Sequence, residues 1–232
     1  MNNFSIKEAL RHGWALFKSH KKTLALASLI YLIITNANVE DLAENSFIKF
    51  ILFAAIGIVS LLVQIGWYKM LFKILDNTPT GVKELFQHKV LFFRYVKALV
   101  LYMVIIALPV IISAAIVFAI LGGEFEYQGF SPGWAAALVL GIAAFATSTY
   151  LGIKYNFSTI IVIDQKEVGI IEAFKKSAHM TRGVKWKLIG LFITIVLVNL
   201  LGLLVLIVGV LASHPASMLA HLSIYRKLAH RE

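Results

Sequence analysis

Residues 98–121 read ALVLYMVIIALPVIISAAIVFAIL, 24 positions without a single charge. Wound as an α-helix at 1.5 Å per residue, the run is about 36 Å long, against a hydrocarbon core about 30 Å thick. Only helices and closed barrels satisfy their backbone in lipid. The apolar residues are continuous rather than alternating, so the run reads as helix. Five more runs share its character: Thr23–Val39, Phe47–Phe72, Gly133–Ile153, Leu188–Ala212 and Pro215–Leu228. The first is short and ends in Asn36 and Asn38. The last carries His221 and lies near the lower length limit for a crossing.

The whole chain agrees with its longest run. Its 232 residues are 59% hydrophobic and 15% charged, with a mean hydropathy of +0.83. A soluble domain has about 45–50% apolar and about 25% charged residues. A globule of this size has too much surface to hide so much apolar side chain, and disordered chains are poor in it. Both classes are excluded, and lipid must wet much of the surface. There is no cysteine, hence no disulfide, thiol catalysis or Cys-ligated zinc.

Charge sets the orientation. The chain carries 22 Lys+Arg against 12 Asp+Glu, a net +10. Residues 1–22, 69–97, 154–187 and 226–232 hold 21 of those 22 basic residues. The other side keeps Lys49, with Glu40, Asp41, Glu44, Glu124 and Glu126. Basic loops stay on the cytoplasmic side. The reading is therefore a multi-pass protein of the cell (inner or plasma) membrane, with six crossings and both termini in the cytoplasm. The basic flank and small residues around the first run imitate a signal peptide. That reading is rejected because the pattern recurs twice inside the chain.

The recurrence is a gap-free alignment on Glu8, Glu84 and Glu172. Ile6, Val82 and Ile170 stand two residues before them, Lys18, Arg94 and Arg182 ten after, and Lys21, Lys97 and Lys185 thirteen after. The spacing fits two spans per unit, giving repeat units of about 4–76, 80–164 and 168–230 within a single transmembrane domain, 1–232. Each unit opens with a helix-start pattern. Ser5 and Glu8 form a capping box, while Gly81 and Gly169 stand in the same place. Ile6, Leu10, Trp14 and Phe17 make one apolar stripe at helical spacing, and Val82, Phe86, Val90 and Phe93 another. The fold expected is an all-α, six-helix membrane bundle with a threefold internal repeat and three amphipathic interfacial helices on the cytoplasmic side. The third copy (Ile170, Phe174, Ala178, Thr181) is more polar and suits packing on protein.

From the third copy onward the chain runs Glu172-Ala173-Phe174, Ser177, Thr181, Gly183, Trp186, Leu188, Gly202, Gly209, Pro215 and Tyr225-Arg226. This order resembles a group of prokaryotic multi-pass proteins without an established activity, similar to the membrane domain fused to some glycerophosphoryl diester phosphodiesterases. The resemblance is best over residues 150–228. It implies a six-helix integral membrane protein and brings no established activity; the phosphodiesterase catalytic domain is a separate soluble barrel, and nothing in this sequence matches it.

Chemistry-bearing patterns are sparse. Buried charge inside a span is costly and marks function, but Lys69, Lys73 and Lys154 sit at span ends, where they can snorkel. The intramembrane polar residues Gln64, Asn199 and His221 suit either a path or helix packing, and Thr147-Ser148-Thr149 adds hydroxyls to the fourth span. His214, seven residues from His221, offers no third metal ligand. Glu8, Glu84 and Glu172 are explained by helix starts, and Asp76 and Asp164 by pairing with nearby lysines. Gly122-Gly123 is a turn, not a phosphate loop. Ala137 and Gly141, a small-x-x-x-small pair, suit close helix packing, as do Gly202 and Gly209, one heptad apart on the fifth span. Pro109 kinks the third span.

These features imply a non-enzymatic protein without cofactor or metal and without a nucleic-acid partner. Its partners would be membrane lipids or another membrane protein, met through Lys18, Lys21, Lys22, Arg94, Lys97, Arg182, Lys185 and Lys187. Each basic residue near an anionic leaflet contributes about 1 kcal/mol. Two alternatives stand beside this: a small-solute permease or channel, suggested by the repeat, the kink and the polar residues, and an accessory subunit of a lipid-metabolising enzyme.

Overall fold

A computed structural model describes residues 4–37, 45–120 and 132–229. The acids Glu40, Asp41, Glu44, Glu124 and Glu126 and the Gly122-Gly123 turn lie outside these residues. Among the described residues the secondary structure is helical throughout. Four helical stretches, Ser46–Leu75, Val82–Ile120, Gly133–Asp164 and Lys185–Leu204, are long and apolar enough to cross a membrane.

The chain opens with α1 (Ile6–Ser19), whose Glu8 amide donates to Ser5 Oγ at 3.3 Å, half of the capping box. His20 breaks the path, and α2 (Lys21–Thr35) follows, paired with α3 (Ser46–Leu75). At 15 residues, α2 is about 22 Å long, short of a full crossing by itself. Asn36 stops it by donating Nδ2 to the Leu32 carbonyl at 2.9 Å. Two 3-10 turns, Val82–Phe86 and Lys89–Leu91, lead into α4 (Phe92–Ile120), which forms a hairpin with α5 (Pro132–Lys154). The second copy of the repeat is thus two short turns instead of one amphipathic helix. The chain bends there because Glu84 and Leu85 are drawn into the core against Gly66 of α3, where a Cβ would lie 2.3 Å from the Leu85 carbonyl oxygen.

Beyond α5 come α6 (Ser158–Asp164) and α7 (Ile170–Met180), then α8 (Lys185–Leu204) and α9 (Leu206–Ala229). The two apolar runs expected at Leu188–Ala212 and Pro215–Leu228 divide at Val205, not between Ala212 and Pro215. From Leu200 to Ala212 the run carries no polar residue, so none marks the reversal. Gly202 and Gly209 face each other across it: a Cβ on Gly209 would lie 2.0 Å from the Gly202 carbonyl oxygen. They belong to two facing helices, not to one side of a single span. Pro215 sits inside α9 without ending it.

Two kinds of surface result. Along α3, α4, α5 and α8, large apolar side chains point outward, Phe53 (69% exposed), Ile111 (61%), Phe145 (73%) and Leu201 (63%) among them. Water would not tolerate such a surface and lipid would. The buried core instead gathers where the basic stretches meet, and Trp67, Leu71, Phe157, Ile160, Ile161 and Tyr225 are closed off there. All of α6 from Ile160 to Ile163 is buried, although it lies within the basic stretch 154–187. Gly141 differs from the packing expected of it: among the described residues a Cβ there would meet nothing within 4 Å. The close approach falls at Gly13 of α1, where a Cβ would come within 2.3 Å of the Ala216 carbonyl oxygen on α9.

Candidate functional site, the basic end of the bundle

The ends of α3, α6 and α9 converge on Arg226. Its Nη2 donates to Asp76 at 2.8 Å and its Nη1 to Asp164 at 3.0 Å. Tyr225 adds a 2.8 Å hydrogen bond to the same Asp164 oxygen, and the guanidinium lies 4.7 Å over the ring of Phe72. The two aspartates therefore form their ion pairs with one arginine, and the charge of Asp164 also reaches Lys69. Both aspartates stand eight residues before Glu84 and Glu172, so two positions at one offset from those glutamates grip the same cation.

Ser177, Thr181 and Gly183 take structural work at this end. Where α5 gives way to α6, the Lys154 carbonyl and the Phe157 amide lose their helical partners. Ser177 Oγ donates to the first and accepts from the second, both at 3.1 Å, and Thr181 Oγ1 also donates to the Lys154 carbonyl at 3.1 Å. A buried backbone group left unpaired is destabilising, and two side chains from one face of α7 remove that cost. Gly183 then turns the chain with φ +79°, a conformation glycine adopts without strain.

Glu84 departs from the helix-start role. It is buried and pairs with Lys73 at 2.5 Å and His88 at 2.9 Å. Burial pushes its carboxyl up, but the hydrogen bonds and charges of Lys73 and His88 outweigh burial and hold it below its ordinary value. Glu8 keeps its place in the first turn of α1, and Glu172 that in α7.

The eight basic candidates divide. Arg94 is taken up by the fold: its guanidinium donates to the carbonyls of Gln165, Lys166 and Val168, closing the C-terminal end of α6. Lys185 donates to Tyr150 Oη at 2.7 Å and lies over the same ring. Lys18 lies 5.9 Å from the ring centre of Trp14, and Lys187 is half-buried at the start of α8. Lys21, Lys22, Lys97 and Arg182 are exposed. Beside them stand exposed aromatic rings: Trp14 (43%), Phe93 (75%) and Trp186 (85%). Aromatic rings interleaved with cations are the side chains of a membrane–water interface.

Of the three polar residues Gln64, Asn199 and His221, the last two make hydrogen-bond contacts with other segments. Asn199 donates to the Ile195 carbonyl of its own helix and accepts from Ser213 of α9, both at 2.9 Å. His221 Nε2 lies 2.8 Å from Asn156 Nδ2, and its ring stacks on Phe157. Gln64 is half-buried on α3. Ser148 donates to the Ile106 carbonyl at 2.8 Å, three residues before Pro109, which lies inside the continuous α4. Among the described residues no three His, Asp or Glu side chains group as metal ligands do.

Sequence reading missed the Arg226 hub and the α7 hydroxyls as structural groups. The signal for the first was present: Asp76 and Asp164 recur at one offset in two units. The chain matches no family model, and neither a curated protein nor a solved structure is similar to it.

Proposed function

We propose that the chain is a non-enzymatic, six-crossing protein of the cell membrane that binds anionic lipid at its basic, cytoplasmic end. One observation carries this reading. After the fold has taken Arg94, Lys185 and Arg226 into its own contacts, Lys21, Lys22, Lys97 and Arg182 stay exposed at the end from which the lipid-suited helices extend. Cations so placed attract an anionic leaflet.

The same reading makes α9 the returning sixth crossing and α2, with the residues after it, the first. The pairing of α2 with α3, α4 with α5 and α8 with α9 supports three two-span units. The contacts of Asn199 and His221 favour packing over a solute path. The likeness to the phosphodiesterase-associated membrane domain stays part of the proposal and adds no catalysis.

The test is lipid retained through purification in mild detergent. Reversing Lys21, Lys22, Lys97 and Arg182 to Glu is expected to reduce co-purified anionic phospholipid by more than half while zwitterionic lipid stays level. Unchanged anionic lipid would refute the proposal.

A further inference from the structure

The packing of α7 against α4 leaves two adjoining surface hollows, of about 780 and 530 Å³. Both share Leu101, Ile171 and Lys175, so they form one groove. Ile105 and Phe174 continue its apolar floor. Lys97 stands at one end of the groove and Lys154 at the other. Lys97 and Lys175 are exposed and form no ion pair among the described residues. Glu172 is the acid nearby. It lies in the first turn of α7, and its Oε2 sits 4.0 Å from where a Cβ of Gly169 would be, so the carboxylate folds back over the helix N-terminus. Alongside the groove, α4 exposes Val100, Met103 and Val104, each more than half open, on its way into the apolar zone.

An apolar trough with two free ammonium groups over one part of it, continuing into a lipid-facing surface, has the polarity of a phospholipid. We infer that this groove between α4 and α7 holds one anionic phospholipid, its phosphate between Lys97 and Lys175 and an acyl chain along Leu101 and Ile105. The inference rests on the anionic-lipid reading above and gives it a discrete site, with Lys175 as a ligand the repeat alignment does not mark. Lysine binds phosphate as a point charge and needs no forked geometry. The apolar floor adds affinity in proportion to the chain it covers.

The experiment uses the full chain in mild detergent, titrated with phosphatidylglycerol or phosphatidylcholine of identical acyl chains and read by native mass spectrometry. Wild type is expected to bind phosphatidylglycerol more tightly. Lys97→Gln and Lys175→Gln should each weaken that binding about fivefold, and together about 25-fold. Ile171→Gln, an uncharged change at an exposed wall, should weaken both lipids. The control pair Lys83→Gln and Lys89→Gln removes the same charge from exposed positions away from the groove and should change neither. If the control pair weakens phosphatidylglycerol as much as the Lys97 and Lys175 pair, or if that pair has no effect, the groove is overturned while the broader anionic-lipid reading survives. If wild type shows no preference between the two lipids, the broader reading falls with it.

Discussion

At the scale of single residues, Arg226 joins two carboxylates at the basic end. It is half-buried, Asp164 is nearly buried and Asp76 is half-exposed, so the two ion pairs differ in weight. The Asp164 pair is the less screened of the two. Arg226→Met removes both and leaves Asp164 facing the Tyr225 hydroxyl alone. A loss of about 2 kcal/mol is expected, read as a lower melting temperature in detergent. Arg226→Lys should recover little, because one ammonium cannot fork between two carboxylates. Glu84 makes a pH prediction. Its folded-state value is depressed by Lys73 and His88, so its contribution is present above the unfolded carboxylate value and disappears as pH falls through the folded one. Glu84→Gln should therefore be less stable than wild type at neutral pH, and the difference should shrink on acidification. Equal melting temperatures at neutral pH would show that the buried pair contributes nothing.

At the scale of helices, the seam between α8 and α9 depends on two residues without side chains. Gly209→Ala places a methyl group against the Gly202 backbone and should destabilise by about 2 kcal/mol as overpacking. Gly141→Ala has open space and should leave stability within about 0.5 kcal/mol of wild type. Thermal unfolding of the two variants side by side checks this, and equal effects would contradict the packing described.

How much of these helices was legible follows from the same seam. Long apolar runs such as 98–121 announced themselves, because hydropathy and length suffice for a spanning helix. The reversal at Val205 did not, since a turn between two apolar helices needs no polar residue when glycines let the backbones touch. Helix α6 is hard to read for the opposite reason. It lies among basic stretches, yet STIIVI is buried by tertiary contacts that hydropathy alone does not report. The groove was illegible too, as Lys97 and Lys175 are far apart in sequence and meet only through the packing of α7 on α4.

At the scale of the molecule, the account rests on the separation of an apolar zone from a basic end. The exposed faces of α3, α4, α5 and α8 require lipid, while the ends that carry the Lys- and Arg-rich stretches converge through Arg94, Asp164 and Arg226. Sequence read this division directly, because charge counting by segment needs no knowledge of packing. It could not tell which cations the fold keeps for itself, since the short contacts of Arg94 to backbone carbonyls come from residues more than 70 positions away.

The natural chain has no cysteine, so a single introduced cysteine reports its own side of the membrane without background. Lys97→Cys, Lys166→Cys and Lys49→Cys, each treated in intact cells with a membrane-impermeant maleimide, test the orientation most directly. Lys49→Cys should label at once, and the other two only after the membrane is permeabilised. Labelling of Lys97→Cys or Lys166→Cys in intact cells, or protection of Lys49→Cys, would contradict a cytoplasmic basic end.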